Sequence, residues 1–169
     1  MSADELLRLR DRTARHELVR GELRTMPFRS FEHGCVVAAT ATNLAAYVHE
    51  RGLGVVVINV GFQIERDPDT VLSVDIAFVS AERDVDTEGF FPGPPDGAIE
   101  VVSAADLYAD IQEKTLALLR AVCRVVVVVD PRTRSVRVHR STGAIAMADA
   151  IAIEDVVPGW SLPLAKIFR

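Results

Sequence analysis

Apolar residues recur along the chain with two different periods, and each period predicts one type of element. From about Phe31 to Glu50 apolar or small residues return at helical spacing and two glycines follow, which predicts a long helix. A second helix is predicted over 106–122, with Asp106 as its N-cap. Runs rich in Val and Ile predict five strands, at 55–64, 71–79, 98–102, 124–130 and 135–140.

The segments outside this pattern are shorter or more polar. Ser2 and Glu5 fit a capping box, which predicts a short helix through about Arg12. Two short segments around Gly21 predict a β-hairpin. The polar, Gly- and Pro-rich segment 81–95 predicts the one long loop, and a loop of this length is a candidate flap over a functional site.

Together these elements predict an α/β fold with a mixed central sheet, helices on its faces and a hairpin near the N-terminus. The strand, helix and strand between Ala98 and Asp130 are expected to form a parallel crossover. Five consecutive valines, Val125 to Val129, are typical of a strand buried on both faces. At 169 residues the chain has the length of a single domain, 1–169.

Composition and charge narrow the functional classes. The chain is 49% hydrophobic with a net charge of −5, so it is expected to be globular and not to attract polyanions by bulk charge. No apolar stretch reaches the roughly 18 residues that span a bilayer, and no apolar secretion segment is visible, so we expect a cytoplasmic protein. Seven arginines fall between Arg8 and Arg29, and this cluster either contacts phosphates or forms a solvated face.

Two acids interrupt apolar runs and are the main candidates for a functional centre. Asp75 lies in the run Val-Asp-Ile, and Glu100 lies in the run Ile-Glu-Val-Val. A lone buried carboxylate is unfavourable as an ion, but two of them can share a divalent cation, and such oxygen ligands suit Mg²⁺ or Mn²⁺. The alternatives are that Asp75 faces solvent from an edge strand and that Glu100 pairs with an arginine at a strand end.

Lys114 is the third candidate, because it shares the inward face of the second predicted helix with Ile111 and Leu118. A buried lysine near two acids can stabilise charge that develops on a phosphate, or help to position an attacking water. The alternative is a surface pair with Asp110 at i,i+4 spacing.

Two further candidates lie near the N-terminus. Glu22 follows the hairpin glycine, where a solvated acid is the simplest interpretation. His33 lies in the first turn of the long helix and is either a site residue or an ordinary surface residue.

Several short motifs follow one another between His16 and Arg140. They are His16-Glu17-Leu18-Val19-Arg20-Gly21-Glu22-Leu23, Glu32-His33, Asp75, Ile99-Glu100-Val101-Val102-Ser103, Asp110-Ile111-Gln112-Glu113-Lys114 and Val127-Val128-Val129-Asp130-Pro131. This ordered set resembles the PD-(D/E)XK nuclease superfamily, and most closely its Uma-two branch of restriction-endonuclease-like proteins. The superfamily's basic pattern has a lysine where this chain has Val102, whereas in this branch the lysine moves to the following helix, which matches Lys114.

The resemblance implies a restriction-endonuclease-like core and a Mg²⁺-dependent endonuclease that hydrolyses phosphodiester bonds of DNA. Asp75 and Glu100 would bind the metal with the main-chain carbonyl of Val101 nearby, and Glu22 and Asp110 match helper acids of the branch. The alternative is a catalytically inactive nuclease-fold module that binds nucleic acid or a protein partner. The exposed sheet edges and the valine strand favour a homodimer or a higher oligomer.

Overall fold

The computed structural model describes residues 1–10 and 14–168, and it has the mixed α/β architecture that the sequence predicts. Its helices are α1 (Ala3–Leu7), α2 (Phe31–Glu50), α3 (Tyr108–Arg120) and a short 3-10 helix (Leu164–Lys166). Its strands are β1 (Arg15–Val19), β2 (Glu22–Met26), β3 (Gly54–Glu65), β4 (Thr70–Ser80), β5 (Phe91–Pro92), β6 (Gly97–Val101), β7 (Val125–Asp130), β8 (Ser135–Arg140), β9 (Gly143–Met147), β10 (Ala150–Ala152) and β11 (Ser161–Pro163). None of the helices in these described ranges is long and apolar enough to cross a membrane.

The main sheet is built around β4. Its strand order is β2-β1-β4-β6-β7-β8-β9, with β3 paired to β4 and β5 paired to β3. The strands β6 and β7 are parallel and are joined through α3, as expected for a crossover, while the other long pairs are antiparallel. All but one residue of β4 are buried, which explains why most of its residues are apolar and makes Ser73 and Asp75 exceptions.

One edge of β4 is shared by two strands and is left open between them. Because β3 pairs with β4 along its whole length, β1 and β6 both lie on the opposite edge. There β1 reaches β4 only at Val71, and β6 reaches it only at 76–78. In the described part of the chain, residues 72–75 therefore have no strand beside them on that edge. The backbone groups of this gap need partners from side chains.

Helices cover both faces of the sheet. On β6 and β7, Ile99 and Val127 pack in the cluster that contains α2, whereas Ala98 and Val126 pack in the cluster that contains Leu118 of α3. Since successive side chains of a strand point to opposite faces, α2 and α3 lie on opposite sides of the sheet. The gap in β4 is thus open to residues from both helices and from the N-terminal hairpin.

In the paired strands β3 and β4, the alternation of side chains between the two faces of the sheet is interrupted at Asn59 and Asp75. We call this interruption the turnover. The register on either side sets these two residues opposite each other, and Asn59 has a φ of +54° in the left-handed region. Residues two apart in a strand normally share a face, yet Val74 packs in the cluster of α3 and Ile76 packs in the cluster of α2. Asp75 lies at this change of side, next to the gap.

Two predicted helix boundaries are wrong. The capping box of Ser2 and Glu5 is present, but α1 ends at Leu7, and the predicted end at Arg12 lies outside the described residues. The helix predicted over 106–122 spans Tyr108–Arg120, and its N-cap is Leu107. Asp106 does not cap this helix because its carboxylate instead accepts hydrogen bonds from Arg29 and from the amide of Ser103.

The loop over 81–95 is not a flap over the gap in β4. Its strand β5 pairs with β3, on the far side of β4 from the gap, and Phe91 packs against Phe62 with ring centroids 5.4 Å apart. Arg83 fixes the end of the loop through an ion pair with Asp96 at 3.1 Å. The apolar residues Phe90 and Phe91 hold this loop on the sheet, so its length reflects packing.

The turnover at Asn59 yields a test of the fold around the gap. Asn59→Val should lower the free energy of unfolding by about 1–3 kcal/mol, because a β-branched residue is strained at positive φ. Asn59→Gly adopts this φ without strain and should be less destabilising, although it also loses the side chain. Urea unfolding measures both variants. Equal losses, or a larger loss for glycine, would show that the left-handed conformation is not what position 59 requires.

Candidate active site

Asp75 is fully buried and uses both carboxylate oxygens. Oδ2 accepts a hydrogen bond from the amide of Val101 at 3.0 Å and lies 3.2 Å from Nε2 of His33, while Oδ1 lies 3.4 Å from Nη1 of Arg15. Burial would raise the pKa of Asp75, but the His33 contact, the charge of Lys114 and the Val101 amide outweigh it and hold the pKa well below its usual range. Asp75 is therefore an ion in the folded protein, and it does not face solvent from an edge strand.

Glu100 is equally buried, but it has a different environment. Its Oε2 lies 3.1 Å from Nζ of Lys114, an ion-pair distance without hydrogen-bond geometry, and no described residue donates a hydrogen bond to either oxygen. Burial raises the pKa of Glu100, Lys114 opposes this, and the charges of Asp75 and Glu17 raise it further, to about 8. Glu100 therefore carries a proton over much of the neutral range, and its oxygens are the least satisfied acceptors of the site.

Lys114 links α3 to β1, β4 and β6. It is 8% exposed, and its Nζ lies 3.0 Å from Oε1 of Glu17 and donates to the carbonyl of Ser73. Burial would lower the pKa of Lys114, but the negative charges of Glu100, Glu17 and Asp75 raise it above its usual value. Lys114 therefore does not form the surface pair with Asp110 that was the alternative from the sequence.

Side chains fill the gap in β4 at Ser73. Its amide donates to Oε1 of Glu17 at 3.0 Å, and its carbonyl accepts from Lys114. A buried carboxylate and a buried ammonium thus replace the neighbouring strand as hydrogen-bond partners. The same pair places the ammonium beside Glu100.

Two cavities flank the cluster. One, of about 430 Å³, is lined by Glu17, Glu100 and Lys114 from the cluster and by Arg24 and Arg29. The other, of about 890 Å³, is lined by residues that include Arg15, His33 and Asn59. The connection between β2 and α2 borders both, because Thr25, Met26, Pro27 and Arg29 line each of them. The buried acids are therefore reached past a rim that carries arginines.

The structure brings some of the predicted site residues together and leaves others apart. Asp75, Glu100, Lys114 and His33 share one buried cluster, and Val101 joins it through its amide. Asp110 is exposed at the rim of the smaller cavity.

Glu22 is exposed and lines neither of the two cavities beside the cluster. The hairpin explains this position, because β1 lies next to β4 and β2 lies one strand further out. Glu17 on the inner strand therefore reaches Lys114, and Glu22 on the outer strand does not.

Sequence reasoning missed four residues of this site, one of which is Arg15, whose Nη1 lies 3.4 Å from Oδ1 of Asp75. Glu17 is buried in the hairpin, Asn59 accepts a hydrogen bond from Arg15 at 2.7 Å, and Arg29 pairs with Asp106 over the smaller cavity. For Asn59 a signal existed, since it is the only polar residue in the run Val-Val-Val-Ile-Asn-Val. For Glu17 and Arg29 the deciding contacts are with residues distant in sequence, so no local pattern marks them.

A solved structure shares this fold. The crystal structure of "a putative nuclease belonging to DUF820" from Anabaena variabilis ATCC 29413 superposes with a TM-score of 0.87, covering 99% of this chain and 97% of that chain at 16% identity. At this identity the match shows that the two chains share a fold.

The chain belongs to the Uma2 family, described as "Putative restriction endonuclease", whose model matches residues 3–165. The resemblance to the Uma-two branch is thereby confirmed over nearly the whole chain. No curated protein matches the sequence. Family and fold together support a nuclease-like role, and restriction-endonuclease-like proteins generally use divalent metals.

The raised pKa of Glu100 predicts a pH dependence of stability. Between its ordinary pKa of 4.5 and about 8 the folded state binds more protons at Glu100 than the unfolded state, so this contribution to stability falls as pH rises. Asp75 acts below this window and Lys114 above it, since their pKa values move away from it.

We therefore expect Glu100→Gln to gain stability relative to the wild type as pH rises from about 5 to 8. Thermal unfolding in EDTA measures the difference between the two melting curves, which cancels the titration of other groups. A constant difference across this range would contradict the assignment.

Proposed function

We propose that this protein is a Mg²⁺- or Mn²⁺-dependent endonuclease that hydrolyses phosphodiester bonds of DNA. The observation that carries the proposal is Glu100, a buried carboxyl whose two oxygens accept no hydrogen bond from the described residues and which lies 3.1 Å from a buried lysine. Lys114 pairs with one of these oxygens, but both oxygens still lack a hydrogen-bond donor, and a cation beside them would satisfy them further. Membership of the Uma2 family supports the same reaction class.

The residues present fit a hard divalent cation. Asp75 and Glu100 would hold it, with the carbonyl of Val101 as a further oxygen. The described residues contain no cluster of three or more His, Cys, Asp or Glu side chains arranged for a metal. Carboxylate and carbonyl oxygens are ligands that suit Mg²⁺, which usually takes one or two carboxylates and completes its shell with water and substrate phosphate. When bound, such an ion supplies positive charge to the phosphate and lowers the pKa of a coordinated water.

The protein's own groups have distinct roles in this proposal. Lys114 places an ammonium beside Glu100 and neutralises charge that develops on the phosphate oxygens. Glu17 is a positioning residue, because it holds the ammonium through a contact of 3.0 Å and is itself fixed by the amide of Ser73. His33 and Arg15 hold the carboxylate of Asp75 in its ionised form and fixed orientation.

Asp110 and Glu22 have smaller roles in the proposal. Asp110 lies at the cavity rim, where it acts on approach of the substrate rather than on the reaction. Glu22, exposed and away from both cavities, has no role in it.

One observation favours a catalytically inactive module as the second candidate. Every carboxylate oxygen of Asp75 already has a partner, and Lys114 is held by two acids and a carbonyl. A site that is satisfied in this way can serve as a structural core while the surface binds nucleic acid or a protein. Calorimetric titration with Mn²⁺ separates the two, since only the endonuclease requires an affinity for the ion that Glu100→Gln weakens.

Cleavage assays test the catalytic assignment. Asp75→Asn and Glu100→Gln keep the shape of each side chain and should abolish Mg²⁺-dependent cleavage of DNA. Lys114→Met should reduce the rate by about 100-fold or more, by analogy with the loss of a donor that stabilises transition-state charge. Glu22→Gln is the matched control, because this exposed acid should be dispensable. Cleavage by either acid variant at the wild-type rate, with far-UV circular dichroism unchanged, would overturn the proposal.

The assembly is proposed to be a homodimer or a higher oligomer. The valine strand β7 lies between β6 and β8 and offers no free edge, so the proposal now depends on β9 at the end of the sheet. This strand has no charged residue, and Ile145 is 65% exposed on it.

Light scattering tests this assembly. Ile145→Lys should convert the oligomer to a monomer, because a charge on an exposed edge disfavours pairing between strands. A wild-type protein that remains monomeric at high concentration would rule the oligomer out.

A further inference from the structure

The connection between β2 and α2, residues 27–30, is exposed beside the buried acids. Phe28 is 87% exposed, the highest exposure of any large apolar side chain among the described residues. It lines the larger cavity together with Arg15, Arg29 and His33. An aromatic ring left in water at a cavity rim forgoes the stabilisation that burial would give, so its environment fits contact with a ligand.

The next residue, Arg29, has a cationic group with unused donors. The Arg29 side chain is 14% exposed. Its Nη1 pairs with Asp106, and its Nε is buried with no acceptor among the described residues. It borders both cavities and so lies beside Lys114 on one side and His33 on the other. A guanidinium at the junction of the two cavities carries a positive charge and a planar set of N–H donors, which suit contact with a phosphate.

A second arginine, Arg24, adds positive charge at the rim of the smaller cavity. Arg24 lines the smaller cavity and makes two hydrogen bonds with Glu113, at 2.8 and 3.1 Å. The two side chains are 41% and 52% exposed, so solvent weakens the pair and Arg24 can exchange Glu113 for another anion. Cations from the arginine cluster near the N-terminus therefore lie on the path to the acids, in a chain that is acidic overall.

We propose that residues 27–30 form a nucleic-acid-binding arm in which the ring of Phe28 stacks on an unpaired base and Arg29 contacts the adjoining phosphate. The inference rests on the proposed nuclease function and narrows its substrate to DNA with a single-stranded stretch or an unpaired end near the cleaved bond. A base inside a duplex is stacked on both faces, so the open face of this ring favours a base that has left the stack. The cavity of about 890 Å³ below the ring is large enough for a nucleotide.

Phe31 is the matched control for Phe28. It is the same residue type, three positions further on, and it is 83% exposed. Unlike Phe28 it lines neither cavity beside the acids, since it borders the outer face of α2. Replacing either ring removes the same exposed apolar surface, so only the position relative to the site differs.

Binding to fluorescently labelled oligonucleotides of about 12 nucleotides, single-stranded or duplex, tests the arm. The measurement uses full-length Glu100→Gln protein, so that the strand is not cut. Phe28→Ala in this background should weaken single-strand binding by about tenfold or more, while Phe31→Ala should change it by less than about twofold. The wild-type sequence at position 28 should prefer the single strand to the duplex.

Salt dependence tests the phosphate contact separately. Arg29→Gln should reduce the slope of log affinity against log salt concentration by about 0.7, the value for one phosphate contact to a single strand, and Arg29→Lys should retain it. Circular dichroism and thermal unfolding exclude variants that lose their fold through the Asp106 contact.

Other results would overturn the inference. Equal effects of Phe28→Ala and Phe31→Ala, or equal affinity for single strand and duplex, would remove the stacking role. A change from dimer to monomer in Phe28→Ala without a change in DNA binding would assign the ring to an interface between copies of the chain. Because binding is read without cleavage, a protein that binds in this way but never cuts would contradict the proposed nuclease activity and leave the arm intact.

Discussion

The open edge of β4 at Ser73 is the constraint on which the rest of the site depends. β1 and β6 share one edge of β4 and do not meet, so a buried amide and a buried carbonyl have no strand beside them. Leaving such groups unpaired is costly, and here Glu17 and Lys114 pair with them. The two charged side chains also pair with each other, which offsets the cost of burying both ions. The sheet defect and the charged cluster are therefore one structural unit.

The turnover of β3 and β4 places Asp75 beside this charged cluster. A regular strand would keep Val74 and Ile76 on one face, whereas here they pack with opposite helices. Asp75 lies at the change and receives the Val101 amide from β6 and the imidazole of His33 from α2. Glu100 comes from β6 itself, and Lys114 comes from the helix that covers the other face. Elements from both layers and the hairpin thus converge on a few buried atoms.

Local sequence was sufficient where a residue's neighbours decide its environment. The apolar runs around Asp75 and Glu100 mark both as buried, and the apolar stripe of α3 marks Lys114 as inward. The bounds of α2 follow from its periodicity and its terminal glycines. Local sequence failed where a distant partner decides. Asp106 has the features of a helix cap, but it binds Arg29, 77 residues earlier in the chain. Local sequence does not distinguish Glu17 from Glu22, because both are acids in the hairpin. They differ because the strand of Glu17 lies beside β4, and this follows from the strand order of the sheet.

The contact between Glu17 and Lys114 spans 97 positions of the chain. During synthesis the hairpin, β4 and β6 leave the ribosome before α3, so an incomplete chain carries Glu17, Asp75 and Glu100 without the ammonium that lies among them. Without the ammonium, Glu17 lacks its cationic partner, and the pKa of Glu100 loses the interaction that lowers it. When α3 docks, Lys114 adds one positive charge that pairs with Glu17 and Glu100, and it also supplies the hydrogen-bond donor for the carbonyl of Ser73. A fragment that stops short of this helix therefore lacks a partner for the buried carboxylate of Glu17 and for the carbonyl of Ser73.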